Sequence, residues 1–121
     1  GGLSVTPYGL QELRLLGESE PLMGVGGGIG ERVIQEKAAR KLLLVMSKTI
    51  TDGTGKRAMI PGWSIAAKTG TTQAARDAWF IGCAKEHVIG VWLGRDDDRS
   101  MKNIFGSTVP LEVFKRIVTA L

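Results

Sequence analysis

Lys68-Thr69-Gly70-Thr71-Thr72 gathers a cation, three hydroxyls and one position without a side chain into five consecutive residues. The surrounding run, Trp63 to Thr72, begins apolar, is opened by Pro61-Gly62 and closes in a polar cluster, so it reads as a strand. In a strand Lys68 and Gly70 point to one face and Thr69 and Thr71 to the other. Gly70 lets another backbone come close, and Lys68 sets a positive charge beside that gap. The chemistry this suggests is an edge strand that pairs with an extended peptide and holds its anionic end. The plain alternative is a surface strand carrying an incidental lysine.

Other patterns invite chemical readings and fail them. In the glycine-rich run Gly24 to Gly30, the sixth position counted from Gly24 is Ile29 and from Gly26 is Glu31. No Gly-Lys-Ser/Thr ending follows and no strand precedes, so the run reads as a connector rather than a phosphate loop. Thr54-Gly55-Lys56-Arg57 lacks the earlier glycine, and Arg57 stands where a magnesium-binding hydroxyl is needed. Asp96-Asp97-Asp98 follows a strand pattern directly and reads as a solvated turn; with no His or Cys cluster, no metal is expected. His87 is expected at a hairpin corner without a catalytic role, and Cys83 as a small buried hydrophobe that cannot form an internal disulfide. No cofactor is implied.

The elements around the Lys68 strand follow from periodicity. Thr6-Pro7 with Leu10, Leu13 and Leu16 predicts a helix over about 7–16, stopped by Gly17. Residues 17–30 read as a linker. A longer helix is expected over about 31–52, with Ile34, Ala38, Leu42, Val45, Met46 and Thr49 along one face. Strands are expected at 63–72, 77–84 and 87–94, the last two joined by the short Lys85-Glu86 link. Both are apolar on both sides, which predicts an antiparallel sheet with helices on each face and Gly82 and Gly90 leaving room for close packing. A closing helix over about 110–121 carries Leu111, Phe114, Ile117, Val118 and Leu121. The fold class is therefore α+β.

The chain has 121 residues, 43% hydrophobic and 23% charged, and a net charge of +4. That composition describes an ordinary globular domain. Its basic residues are scattered and aromatics few, which argues against nucleic acid as a partner. No apolar run reaches the length of a membrane span and no signal peptide is visible. The chain begins Gly-Gly, so a piece of a longer protein is expected.

Taken in order, the motifs become specific. A helix runs into Asp52-Gly53-Thr54-Gly55-Lys56-Arg57-Ala58; Lys68-Thr69-Gly70-Thr71-Thr72 follows. Asp77-Ala78-Trp79-Phe80-Ile81-Gly82, Gly90-Val91-Trp92-Leu93-Gly94-Arg95-Asp96-Asp97 and a terminal helix complete the series. This series resembles the C-terminal part of the transpeptidase domain of class A, bifunctional penicillin-binding proteins, from about Thr6 to the end of the chain. The resemblance implies a partial β-lactamase/transpeptidase-like fold over residues 1–121 and a serine enzyme that crosslinks peptidoglycan stem peptides and is trapped by β-lactams. By that match Lys68 supplies cleft electrostatics and helps proton movement, while the hydroxyls of Thr69 and Thr71 bind the terminal carboxylate. The Thr71 N–H is an oxyanion-hole donor, and Gly70 and Thr72 belong to the same binding strand. The parent is expected to be anchored in the cytoplasmic membrane with this domain facing the periplasm or extracytoplasmic side, with a glycosyltransferase domain in the same protein.

The family's nucleophile motif, Ser-x-x-Lys, and its Ser-x-Asn motif do not occur in the 121 residues. Ser64 and Lys68 are four apart, one too many. The expectation is a C-terminal lobe whose partner is a separate N-terminal lobe, inactive alone because catalysis needs the nucleophile. Strand 87–94 would then have an open apolar edge able to pair with a second copy. Part of a β-lactamase or D,D-carboxypeptidase remains an alternative, since these share Lys-Thr/Ser-Gly. So does a non-catalytic interaction module derived from the fold, for which Cys83 and Ser107-Thr108 are departures from the family pattern.

Overall fold

A computed structural model describes residues 1–10, 12–23 and 27–121. The chain divides into two compact units, Gly1–Lys41 and Leu42–Leu121, with the division falling inside a helix.

The first unit is built on strand pairing. β1 (Leu3–Val5) runs antiparallel to β2 (Ile29–Arg32), with Leu3 opposite Arg32 and Val5 opposite Ile29. The Thr6 N–H donates to the Gly28 carbonyl at 3.2 Å, and further out Leu13 bridges Met23, with Leu22 N–H on the Leu13 carbonyl at 2.7 Å. The expected helix over 7–16 is absent from its described residues. Ten residues are marginal for a helix without a surface to pack on, and Leu10, Leu13 and Leu16 remain exposed here. Of the three, Leu13 finds an antiparallel backbone partner in Met23 instead, and Arg14 ties the far end by donating to Glu12 and to the Ser19 carbonyl. The linker expected over 17–30 likewise contributes Met23 and Ile29 to this pairing; Gln11, Gly24, Val25 and Gly26 lie outside the described residues.

α1 (Glu36–Thr51) starts later than the expected residue 31 because Glu31 and Arg32 are spent in β2. Glu36 and Arg40 pair one turn apart at its start. Near its end Ile50 is buried.

The second unit holds the expected antiparallel sheet, in the order β3 (Ile65–Thr71), β4 (Asp77–Ala84), β5 (His87–Gly94). Residues directly opposite share a face, so Ile65, Ala67, Thr69 and Thr71 lie with Ala84, Gly82, Phe80 and Ala78. That face carries the core. Phe80, Leu111, Phe114 and Val118 are fully buried, joined by Ile50, Ala58 and Val91. The covering helix, α2 (Val109–Ala120), starts with Pro110 in its first turn, as the sequence suggests. It packs tightly because Gly82 has no side chain: a Cβ there would stand 2.7 Å from the Phe114 ring. The Phe80 and Phe114 rings meet at 4.8 Å, within the range of favourable aromatic pairs. Arg57 pairs with Glu112 at 2.6 Å and Lys115 donates to the Arg57 carbonyl at 2.9 Å, fastening the turn Lys56–Ala58 to α2.

The opposite face departs from the expectation of helices on both sides. Trp79, Ile81 and Trp92 there are 41–49% exposed, and Leu42, Leu44 and Val45 of α1 are exposed as well. Of α1, Ala39 and Ile50 are buried, and among the described residues no helix packs at Gly90, where an added Cβ would meet the Ile81 side chain. β3 and β5 are the two edges of the sheet.

Candidate functional site

The orientation of the β3 backbone is fixed at its end. The Thr72 N–H donates to the Asp77 carbonyl at 3.1 Å. In an antiparallel pair, residues alternate between facing the partner strand and facing away. Thr72, Gly70 and Lys68 therefore direct their N–H and C=O groups to β4, while Thr69 and Thr71 direct theirs to the outer edge. Among the described residues no backbone group pairs with the Thr69 or Thr71 N–H.

The side chains converge on that edge. Lys68 is exposed, and its Nζ donates to the Thr69 carbonyl at 2.5 Å, bringing the ammonium from the sheet face to the strand margin. The Thr69 Oγ1 lies 2.9 Å from the Thr54 Oγ1. The Thr71 Oγ1 accepts the Gly106 N–H at 3.1 Å. A hydroxyl offers one donor and two acceptor positions. Thr71 thus keeps its proton for an outside acceptor, and of the two protons on Thr54 and Thr69 only one is used between them. One ammonium, two available hydroxyl protons and two unpaired N–H groups line a single edge. Such an edge can receive an anionic group and extend the sheet by one peptide strand.

Thr72 differs. Its hydroxyl donates to Asp77 Oδ2 at 3.2 Å and accepts the Asp77 N–H at 2.8 Å, while Trp92 Nε1 donates to Asp77 Oδ1 at 3.0 Å. This corner closes the link between β3 and β4, where Ala74 and Ala75 hold left-handed conformations with φ of 60° and 50°. Residues with side chains adopt that region at a cost, and the Asp77 clamp holds them there. Met101 N–H on the Ala75 carbonyl at 2.9 Å and an Arg76–Asp98 ion pair at 2.9 Å add to the hold.

Lys68, Thr69, Gly70 and Thr71 lie together on β3, and sequence reasoning misses Thr54, Asp77 and Gly106 as the groups that bond to this strand and its end. The Gly-Thr-Gly and Asp-Ala-Trp patterns were the available signals; the placement of Gly106 had none. Elsewhere, Asp97 is held by Arg95 at 2.6 Å and Arg99 at 3.6 Å. The hydrogen bond from Arg95 draws the Asp97 carboxyl down to about 2 and raises the Arg95 guanidinium in turn. Cys83 is half-buried on the open sheet face, less enclosed than expected, and His87 is exposed at the hairpin corner. Among the described residues no helix is long and apolar enough to cross a membrane.

A family model described as the penicillin binding protein transpeptidase domain matches residues 27–119. The chain is 34% identical over 87 residues to penicillin-binding protein 1B of Haemophilus influenzae, covering 70% of this chain and 11% of that protein. It is 34% identical over 95 residues to penicillin-binding protein 1A of Aquifex aeolicus, covering 75% of this chain and 13% of that protein. The chain thus spans about a tenth of the length of these relatives. Its fold is similar to that of penicillin-binding protein A from M. tuberculosis, solved as an imipenem acyl-enzyme complex. That likeness has a TM-score of 0.69 at 22% identity and covers 99% of this chain and 28% of the other.

Proposed function

From a chain that belongs to the penicillin-binding protein transpeptidase family, we infer that it is the substrate-receiving portion of a peptidoglycan D,D-transpeptidase. The observation that carries the reading is the outward-facing backbone of Thr69 and Thr71 with the Lys68 ammonium beside it. A stem peptide ending in D-Ala-D-Ala adds to this edge as a strand. Its terminal carboxylate meets the hydroxyls of Thr69 and Thr71. The Thr71 N–H is one of two donors to the oxyanion that forms when a serine attacks the penultimate carbonyl; removing one such donor typically costs about 10²–10³ in rate. Lys68 adds positive potential and assists proton movement at the serine. Gly70 keeps the strand surface low, and Thr72 acts by holding the corner with Asp77.

The attacking serine comes from a Ser-x-x-Lys lobe outside these 121 residues, paired with a Ser-x-Asn motif. In the complete site the serine oxygen bonds to the carbonyl carbon and the last D-Ala leaves with a proton on its nitrogen. An amine of a second stem then displaces the serine. β-Lactams enter by the same attack, with the ring nitrogen as leaving group. This chain alone binds but does not turn over. The parent is anchored in the cytoplasmic membrane, works on its outer side and carries a glycosyltransferase domain. The free edge of β5 takes strands of the missing lobe; without that lobe, a second copy of the chain pairs there.

The test is an amide-resolved NMR titration of the chain with N-acetyl-D-Ala-D-Ala and with its C-terminal amide. The acid is expected to shift the signals of Lys68 to Thr71 and the amide to do so more weakly. Equal responses, or none at this strand, contradict the reading.

A further inference from the structure

The loop after α1 carries a group that the strand itself lacks. We propose that Thr54 is a positioning residue for the anion-receiving edge: its hydroxyl, 2.9 Å from that of Thr69, orients the Thr69 proton toward a bound carboxylate. This rests on the reading of β3 given above and extends it to an element fifteen residues earlier.

The loop is built to hold Thr54 still. The Gly55 N–H donates to the Thr49 carbonyl at 3.0 Å, Lys56 N–H to the Gly53 carbonyl at 3.2 Å and Ala58 N–H to the Gly55 carbonyl at 2.8 Å. Ala58 is fully buried, and Arg57 is tied to α2 on both its side chain and its carbonyl. Thr54 therefore sits between two anchored turns, with an exposed side chain directed at the edge strand.

A lone threonine hydroxyl rotates freely and spends its proton on whichever acceptor is near, including water. When Thr54 is the donor of this pair, one of the two acceptor positions on the Thr69 oxygen is filled and the Thr69 proton is left for a bound anion. The donation also polarises the Thr69 hydroxyl and strengthens its own bond to an anion. Thr71 is prepared in the same manner by a backbone donor, Gly106 N–H at 3.1 Å. The two hydroxyls of the edge thus each have a partner behind them, the Thr54 hydroxyl from the loop after α1 and the Gly106 N–H from the segment before α2.

The test uses the 121-residue chain and the same pair of probes, N-acetyl-D-Ala-D-Ala and its C-terminal amide, with Thr54→Val and Thr54→Ser. Thr54→Val keeps the shape and removes the donor. Binding of the acid is expected to weaken about 3- to 10-fold, in keeping with loss of support for a hydrogen bond to a charged group. Binding of the amide should hardly change, and Thr54→Ser should restore the acid. Unshifted amide signals of Phe80 and Phe114 in the unliganded variants check that the core is intact; Thr54→Ala replaces Thr54→Val if they move. A Thr54→Val chain that binds the acid as wild type does, or that loses acid and amide equally, overturns the proposal. If the wild-type chain itself does not distinguish acid from amide, the reading of β3 fails first and this one with it.

Discussion

Gly106 lies against the edge strand so closely that a Cβ on it would stand 2.7 Å from the Gly70 carbonyl oxygen. Its N–H holds the Thr71 hydroxyl in the same approach. The segment before α2 is therefore part of the wall behind the binding edge. Gly106→Ala is expected to push this segment outward, break the bond to Thr71 and cost about 1–3 kcal/mol, the usual range for overpacking. Urea denaturation measures the loss, and the Thr71 amide signal reports the displaced wall.

The core beneath the strand makes a stronger demand. Phe114 is fully buried on Gly82 and beside Phe80. Phe114→Ala should destabilise the chain by about 3–5 kcal/mol. In a domain of marginal stability, loss of cooperative unfolding in thermal melts is the expected readout.

Lys68 separates function from stability. Its side chain is exposed and, among the described residues, bonded only to a neighbouring carbonyl, so Lys68→Met should change stability by no more than about 0.5 kcal/mol. The same variant should abolish the preference for an acid over an amide ligand in NMR titration.

The turn after β5 responds to acid in a defined direction. Asp97 is held near 2 by the hydrogen bond from Arg95, below its ordinary value of 3.8. A depressed carboxyl favours the folded turn above the ordinary value, and that contribution is lost as pH falls through the folded one. A side-chain carboxyl titration by NMR should show Asp97 protonating near 2, and Arg95→Gln should move its midpoint upward.

β5 presents Val88 at 74% exposure on a sheet edge without proline or lysine. Such edges pair with others. Light scattering of concentrated chain should show dimers, and Val88→Lys should leave monomers. A wild-type monomer at all concentrations contradicts this use of the edge.

The sheet was legible because its signals are local. A two-residue link and paired apolar runs marked three strands within about two residues of their bounds and joined the last two as a hairpin. Lys68, Thr69 and Thr71 could be grouped because neighbours in a strand stay neighbours in space. Thr54 and Gly106 could not, since their roles depend on which loops the tertiary fold returns to the β3 edge. The first helix failed for a related reason. Leucines at 10, 13 and 16 satisfy helical spacing, yet spacing stabilises a helix only when a surface covers the stripe. The one-sided cover of the sheet has the same origin: Trp79, Ile81 and Trp92 are apolar enough for a buried face, but the sequence pattern does not say what chain supplies the cover.

The most direct measurement is intact-mass analysis after exposure to a fluorescent penicillin, made on this chain and on the same chain joined to its upstream reading frame. The chain alone should gain no mass. The joined protein should take one penicillin on a serine of an upstream Ser-x-x-Lys motif, at a rate sharply reduced by Lys68→Met. A stoichiometric adduct on the chain alone, or a joined protein that remains unmodified, would contradict the account of β3 as the receiving half of a transpeptidase site.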